Sequence, residues 1–226
     1  MRFDKRSLAD RVEIVFDDGG MNLLSSSALD ELSSVIAGAE ATNLLVFRSG
    51  RPGLFAAGAD MAEMKEFSPA EAEVFAAKGQ ELFGRIEKLP GITVAIIDGD
   101  CFGGALDLAL SFDLRFATPR ARFAHPGARI GIATGFGGTT RWRKVLQRPA
   151  AQAMFIGNRI LGTSEAERSG LVDAVAEDFE DSLAALAKAE PRAVRLVKEL
   201  SAHAPSLSRS QLQLLAERLG RLYFDF

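Results

Sequence analysis

The stretch DGDCFGGALDLA, residues 98–109, follows a short apolar run and decides our interpretation of the fold. The run before it, Ile92–Ile97 (ITVAII), is rich in Ile and Val, which is typical of a buried strand. The stretch itself begins with Asp and Gly, which are turn formers, and the pair Gly103 and Gly104 then opens an Ala- and Leu-rich segment over residues 105–110. We therefore predict a strand that ends in a turn and is followed by the start of a helix.

The start of this helix has the composition of an anion-binding site. Glycine lets the backbone approach a ligand, because no Cβ stands in the way. The first N–H groups of a helix have no partner within it and lie at the positive end of its dipole. The N–H groups near Gly104 are therefore candidate donors to an anionic oxygen. Asp107 follows one turn later on the same face, so a donor and a carboxylate lie side by side where an enolate could form.

The same stretch also has a purely structural interpretation. The negative charge of an Asp in the first turn of a helix interacts favourably with the helix dipole and stabilises the helix by about 0.3–1 kcal/mol. Such an Asp needs no catalytic role. The glycine pair can serve close packing of a helix on a sheet. Taken alone, these residues leave both interpretations open.

Composition excludes several classes of protein. The chain has 226 residues, 47% of them hydrophobic, which suffices for the core of one domain. A net charge of -3 argues against a nucleic-acid partner. The single cysteine, Cys101, excludes an internal disulfide framework and a Cys-based zinc site, and two histidines, His125 and His203, are too few for a His-rich metal site. We find no signal-peptide segment and no apolar run of about 20 residues, so we expect a cytoplasmic protein without a membrane partner.

Predicted strands and helices alternate through the first two thirds of the chain. We predict strands over residues 11–16 and 43–48, a helix over 28–39 capped by the serines at 25–27, and a helix over 69–89 opened by a capping box at 68–71. Further on we predict a second capping box at 164–167, a strand over 171–175 and closing helices over 184–189, 192–201 and 207–222. This order indicates an α/β fold with a helical C-terminal part.

Four segments in this order resemble the crotonase, or enoyl-CoA hydratase/isomerase, superfamily. They are LFAAGADMAEM (54–64), DGDCFGGALDLALSFDLRFA (98–117), GIATGFGGTTRW (131–142) and RILGTSEAERSGLVDAV (159–175). The resemblance implies a single crotonase-like domain over residues 1–226. Within it, repeated ββα units form a spiral core over 1–160, and a mainly helical part over 161–226 is used to form a homotrimer or a dimer of trimers.

The resemblance also implies a shared chemistry, in which two backbone amides bind the thioester oxygen of an acyl-CoA and stabilise an enolate. By position these amides belong to Ala59 and Gly104. Such aimed donors typically contribute several kcal/mol to an oxyanion transition state. Coenzyme A enters as part of the substrate, and no other cofactor or metal is implied. The remaining candidate substrate-binding residues are Ala57, Gly58, Asp60, Gly103 and Gly127.

The chain departs from the family pattern at its acidic positions. Asp107 stands where the family usually has Glu, so a carboxylate is kept but shortened by one methylene. Gly127 stands where hydratases have their second Glu, and Gly135 where other branches have Asp. This argues against water addition by two carboxylates, since one general acid or base is worth about 10²–10⁴-fold. His125 is a candidate second acid or base, and the alternative is a histidine hydrogen-bonded at the edge of the sheet.

We therefore expect an acyl-CoA-processing enzyme with isomerase- or hydratase-like proton transfer, in which Asp107 acts as acid or base and His125 assists. Two alternatives stay open. One is a decarboxylase-type reaction, which needs only the oxyanion hole and one proton donor. The other is acyl-CoA binding without turnover, since a fold does not imply a function.

Three further features receive structural interpretations. Cys101 is interpreted as a small core residue, since no base is paired with it. Phenylalanines at 67, 75 and 83 repeat every eight residues and predict a core-facing helix side near the acyl group. The basic residues Arg141, Arg143, Lys144 and Arg148 are interpreted as a solvated helix face.

Overall fold

The computed structural model describes residues 2–203. Its strands are β1 (Phe3–Ser7), β2 (Val12–Phe16), β3 (Leu23–Leu24), β4 (Leu44–Ser49), β5 (Gly53–Ala56), β6 (Gly58–Ala59), β7 (Ile92–Ile97), β8 (Gly99–Phe102), β9 (Leu114–Ala117), β10 (Arg122–Ala124), β11 (Leu161–Gly162) and β12 (Ala174–Val175). Its helices are α1 (Ser26–Ala37), α2 (Met61–Lys65), α3 (Pro69–Glu87), α4 (Gly104–Ala109), α5 (Gly138–Val145), α6 (Arg148–Phe155), α7 (Thr163–Arg168), α8 (Glu180–Leu186) and α9 (Pro191–His203), and a 3-10 helix spans Pro126–Ile130.

The main sheet has six strands in the order β1-β2-β4-β7-β9-β12. Only β1 and β2 are antiparallel, and the other neighbours run parallel. The central strands β4 and β7 are mostly buried, which explains their continuous apolar sequences. Because parallel neighbours need crossover connections, the helices lie between the strands in sequence, as the alternating pattern predicts.

A second sheet contains four strands in the order β11-β10-β8-β5. Phe47 of β4 contacts Phe55 of β5, with ring centroids 5.7 Å apart, so the two sheets share one core. The turn predicted at Asp98 and Gly99 is wrong, because Gly99 already belongs to β8. A Cβ on Gly99, whose φ is +121°, would lie 1.9 Å from the carbonyl carbon of Gly53, so glycine is required where β8 meets β5.

Two of the predicted caps are confirmed and one is wrong. Ser25 caps α1 by accepting the N–H of Ala28, and Ser68 forms the predicted capping box with Glu71 at the start of α3. By contrast, Gly162 precedes α7 and no side chain caps that helix. Its first residue, Thr163, donates its hydroxyl to backbone carbonyls around the β9–β10 turn, which fixes the helix start one residue before the predicted box.

The strand predicted over residues 171–175 is shorter than expected. The N–H of Leu171 ends α7 by donating to Ala166, and its carbonyl accepts from the guanidinium of Arg115. Only β12 remains for the sheet, where Ala174 pairs with Phe116 of β9. The backbone groups of Leu171 are thus used by a helix end and an arginine instead of a strand.

Contacts group the residues up to 187 into one compact unit and those from 188 onward into a second. The described part of the second unit contains α9, which matches the helix predicted over 192–201. The helix predicted over 207–222 lies outside the described residues. The single domain over 1–226 stays a prediction. Among residues 2–203, no helix is both long and apolar enough to cross a membrane.

Candidate active site

The first part of the site is the start of α4. Gly103 has φ +56°, and its N–H donates to the carbonyl of Ala124, 2.9 Å away, which ties the end of β8 to the end of β10. Gly104 is the first residue of α4, so its N–H points out of the helix end and has no partner within the helix. The sequence predicts a strand, a glycine pair and a helix start in this order. In the structure, the additional strand β8 lies between the predicted strand β7 and the glycine pair.

The second part is β6, the two-residue strand that contains Ala59 and pairs with β3. A Cβ on Gly104 would lie 3.3 Å from the backbone nitrogen of Ala59, and a Cβ on Gly58 would lie 2.7 Å from the carbonyl oxygen of Phe102. The two segments therefore pack backbone against backbone. This close approach brings the peptide nitrogens of Ala59 and Gly104 to one wall.

That wall belongs to a cavity of about 330 Å³. The structure brings together at this cavity eight of the nine residues predicted for the site, namely Ala57, Gly58, Ala59, Gly103, Gly104, Asp107, His125 and Gly127. The ninth, Asp60, does not line it. Its carboxylate instead caps α2 by accepting the N–H groups of Ala62 and Glu63, and its contact with a substrate stays a prediction.

Asp107 is the acidic group of the cavity. It is 1% exposed, and its Oδ2 accepts a hydrogen bond from the hydroxyl of Thr134. Its Oδ1 has no hydrogen-bond partner among the described residues and lies 3.4 Å from Nε2 of His125, which also lacks one there. The two unpartnered atoms face each other at the cavity wall.

His125 lies in the link between β10 and the 3-10 helix and is 5% exposed. Its ring stacks on Phe155 of α6, with centroids 4.7 Å apart and an interplanar angle of 18°. The stacking fixes the plane of the imidazole, and Nε2 then points to Asp107. Of the two interpretations of His125, the arrangement fits the one in which it borders the cavity.

The positions without acids are closely packed. A Cβ on Gly127 would lie 2.6 Å from the carbonyl oxygen of Ile132, and the N–H of Ile132 donates to the Gly127 carbonyl. A Cβ on Gly135 would lie 3.3 Å from Cβ of Ala76 on α3. Asp107 is therefore the carboxylate at this cavity among the described residues.

Phe136 also borders the cavity. Its ring lies between Phe75 and Phe83 of α3, at centroid distances of 5.1 and 5.5 Å, and next to Gly79, where a Cβ would lie 2.1 Å from it. Phe75 and Phe83 lie on the buried side of α3, as their spacing predicts, whereas Phe67 precedes the helix. Phe67 and Phe75 line the cavity.

Arg141 corrects the interpretation of the basic cluster. It is buried, donates from Nη1 to the carbonyl of Phe136 at 2.6 Å and from Nε to Glu87 at 3.0 Å. The solvated-face interpretation is wrong for this residue, because its guanidinium joins α5 to α3 behind Phe136. It holds for Arg143, Lys144 and Arg148, which are exposed.

Cys101 lies in the core on β8, as interpreted from the sequence. Burial raises the pKa of its thiol well above the usual value, and the negative charges of Asp107 and Asp100 raise it further. The thiolate, which is the nucleophilic form, is thereby disfavoured.

Sequence reasoning missed three residues at the site: Thr134, Phe136 and Gly138. A Cβ on Gly138 would lie 1.8 Å from Oδ1 of Asp107, so this glycine leaves room for the carboxylate. The only signal in the sequence was the glycine-rich run GFGG, which marks close approach but not what approaches. Among the described residues, no group of three or more His, Cys, Asp or Glu side chains is placed to hold a metal ion.

Comparison with known proteins identifies the class. The family model of enoyl-CoA hydratase/isomerase matches residues 11–219. The chain therefore belongs to this family, the crotonase superfamily, as the four motifs predict. An enoyl-CoA hydratase structure from Thermoplasma volcanium superposes with a TM-score of 0.92 at 27% identity, covering 100% of this chain and 93% of that one. The predicted α/β crotonase-like fold is confirmed.

Two of the curated relatives are hydratases named for different acyl groups. The chain is 34% identical over 164 residues to a short-chain-enoyl-CoA hydratase of Clostridium acetobutylicum, covering 71% of this chain and 62% of the relative. It is 33% identical over 173 residues to the human mitochondrial methylglutaconyl-CoA hydratase, covering 75% and 51%. The matched part thus spans between about half and two thirds of these relatives.

Proposed function

We propose that this chain is an acyl-CoA-processing enzyme that moves a proton on the acyl group of an enoyl- or acyl-CoA thioester. The N–H groups of Ala59 and Gly104 bind the thioester oxygen, and Asp107 with His125 exchanges the proton. The observation that carries the proposal is the meeting of two backbone nitrogens and one buried carboxylate–imidazole pair at a single cavity. Membership of the family supports the choice of a CoA thioester.

The chemistry begins at the carbon next to the thioester carbonyl. Oδ1 of Asp107 takes the α-proton, and the electron pair of the broken C–H bond moves into the enolate, whose oxygen accepts the two N–H groups. Donors fixed in this way need no rearrangement as charge develops, which is why they stabilise the transition state by several kcal/mol. Nε2 of His125, 3.4 Å from Oδ1, can hold the proton before it returns to another carbon.

Isomerase-like proton transfer fits the donor set better than hydration by two carboxylates. Gly127 brings no acid to the cavity, and a Cβ there would lie only 2.6 Å from the Ile132 carbonyl oxygen. A single acid–base pair suffices to remove a proton from one carbon and return it to another. The homotrimer or dimer of trimers implied by the family resemblance is kept as part of the proposal.

A second candidate function is decarboxylation of a malonyl-type thioester. It uses the same oxyanion donors, and the enolate formed by loss of CO₂ needs one proton donor. The single carboxylate of the cavity favours it as the alternative.

The test is exchange of the α-proton in deuterated buffer, with butyryl-CoA as the probe and mass spectrometry as the readout. We expect exchange by the natural chain and a loss of at least about 100-fold in Asp107→Asn, the range assigned to one general acid or base. Asp100→Asn is the matched control, because Asp100 pairs with Arg122 on the neighbouring strand and does not line the cavity. The control should exchange normally.

The other outcomes separate the alternatives. Exchange that persists in Asp107→Asn contradicts the role of this carboxylate. A chain that binds butyryl-CoA in calorimetry but exchanges nothing is a binding protein, unless it releases CO₂ from malonyl-CoA, which would select the decarboxylase.

A further inference from the structure

We propose that Thr134 is a positioning residue for the proton transfer, holding one oxygen of Asp107 so that the other takes the proton. The inference rests on the proposed function, because it assigns a task to the partner of the proposed base. It concerns a residue that neither the motifs nor the family pattern singled out.

The two oxygens of Asp107 have different surroundings. Oδ2 accepts the hydroxyl hydrogen of Thr134, whereas Oδ1 has no hydrogen-bond partner among the described residues and lies 3.4 Å from His125 Nε2. An ionised carboxylate only accepts hydrogen bonds, so the hydroxyl of Thr134 must be the donor. One oxygen is thereby fixed and the other is left for the reaction.

The buried Oδ1 has room at its position because residue 138 is a glycine. Gly138, the first residue of α5, leaves open the space in which a Cβ would lie 1.8 Å from this oxygen. Thr134 and Gly138 flank the loop that ends at α5, so one short segment both holds the carboxylate and makes room for it.

An unpartnered buried oxygen is costly, which makes its presence informative. Buried polar atoms almost always have partners, and leaving one without a partner lowers the stability of the fold. Rotation of the carboxylate about its Cβ–Cγ bond would break the bond from Thr134. Besides Thr134, the titratable groups next to Asp107 among the described residues are His125, whose Nε2 lies 3.4 Å from Oδ1, and Cys101 on β8, whose thiol feels the charge of Asp107. The geometry therefore keeps Oδ1 directed to the imidazole and the cavity.

The experiment compares Thr134→Val with Thr134→Ser in the α-proton exchange assay. Valine keeps the shape and removes the hydroxyl, whereas serine keeps the hydroxyl and removes the methyl group. We expect kcat of Thr134→Val to fall by about 10–100-fold, as for a misplaced catalytic group, while KM changes little. The pH profile of kcat/KM should also shift for Val, because a charged acceptor loses its donor. Thr134→Ser should keep the rate and profile within about threefold.

Two results would overturn the inference. The first is a Thr134→Val chain with the natural rate and profile. The second is a Thr134→Ser chain as impaired as Thr134→Val, which would assign the effect to packing of the methyl group. If Thr134→Val fails to fold, Thr134→Ala removes the same hydroxyl with a smaller side chain and should lower kcat while KM changes little. A natural rate in Thr134→Ala, with Asp107→Asn inactive, would overturn the inference.

Asp107→Asn on the same substrate separates this inference from the proposed function. Exchange that survives in Asp107→Asn contradicts the proposed function itself. Exchange that is lost in Asp107→Asn and unchanged in Thr134→Val leaves the proposed function standing and refutes the positioning role alone.

Discussion

Gly127 is the residue that most clearly separates this site from a pair of glutamates. It lines the cavity, yet a Cβ there would meet the Ile132 carbonyl oxygen at 2.6 Å. The Ile132 N–H donates a hydrogen bond to the Gly127 carbonyl, and this bond holds the loop backbone close to residue 127. The missing acid is therefore a property of the local backbone and not only of one side chain.

This predicts that Gly127→Glu does not create a two-carboxylate hydratase. We expect no gain in hydration of crotonyl-CoA, measured by loss of its enoyl absorbance, and a loss of stability of about 1–3 kcal/mol in urea unfolding from overpacking. Gly162→Glu is the control, since nothing lies within 4 Å of a Cβ there, and it should change stability by less than about 0.5 kcal/mol. Rapid hydration by Gly127→Glu would show that the loop adapts.

Single site residues can be predicted from the sequence where they belong to a recognisable motif or carry an ionisable side chain beside one. Ala59, Gly104, Asp107 and His125 lie together at the cavity. The ordered segments named the first three, and His125 was named as an ionisable residue two positions before Gly127. Thr134 and Gly138 were not predicted, because their contact with Asp107 joins positions about 30 residues apart through tertiary packing. Asp60 was predicted to contact the substrate; its carboxylate caps α2, and the contact with a substrate stays a prediction.

Among the elements, α3 supports the cavity through a glycine. Gly79 lies in the middle of this 19-residue helix, where glycine costs about 0.5–1 kcal/mol relative to Ala. The ring of Phe136 occupies the space of the missing side chain. The helix thus accepts a poor helix former in order to seat an aromatic ring of the cavity wall.

Two substitutions on this helix should therefore change the free energy of unfolding in opposite directions. Gly79→Ala should destabilise the fold by about 1–3 kcal/mol, because the new Cβ overlaps Phe136. Gly84→Ala, five residues later with nothing within 4 Å of its Cβ, should stabilise it by about 0.5–1 kcal/mol. Urea unfolding of both variants measures this. Equal stabilisation by both would mean that Phe136 moves aside at little cost.

The elements predicted correctly are those with a strong local signal. Apolar runs gave β4 and β7, and cap residues gave α1 and α3, because these signals act within a few residues. β1 was missed since only Phe3 of its five residues is buried, so it shows no alternation. β8 was missed because its glycine and aspartate are typical of turns, whereas its pairing with β5 and β10 is set by distant strands.

For the molecule as a whole, β8 joins the core to the site. Cys101 lies on this strand with no exposed surface, and the raised pKa of its thiol follows first from burial and then from the charges of Asp107 and Asp100. It is the only cysteine of the chain. The reactivity of its thiol therefore reports on opening of the core around β8.

We predict that Cys101 reacts with a thiol reagent such as DTNB only when the fold opens. The native chain should stay unlabelled over hours at neutral pH, and the urea-unfolded chain should react at once with one equivalent, as followed by absorbance. The reason is that access requires separation of the sheets, whose free energy approaches that of global unfolding. Labelling of the native chain within minutes would reveal a local opening of β8.

The backbone-to-backbone contact between β6 and the start of α4 has an evolutionary consequence. Gly58 and Gly104 leave no room for side chains between the peptide groups of the two segments. Most point mutations replace a side chain and leave the peptide group in place, so the two N–H groups persist as long as Gly58 and Gly104 are kept and no proline enters at residue 59 or 104. The proposed roles of Asp107, His125 and Thr134, by contrast, depend on side chains that a single substitution can exchange. Under the proposed function, a lineage built on this scaffold can change its reaction while the two backbone donors to the thioester oxygen stay the same.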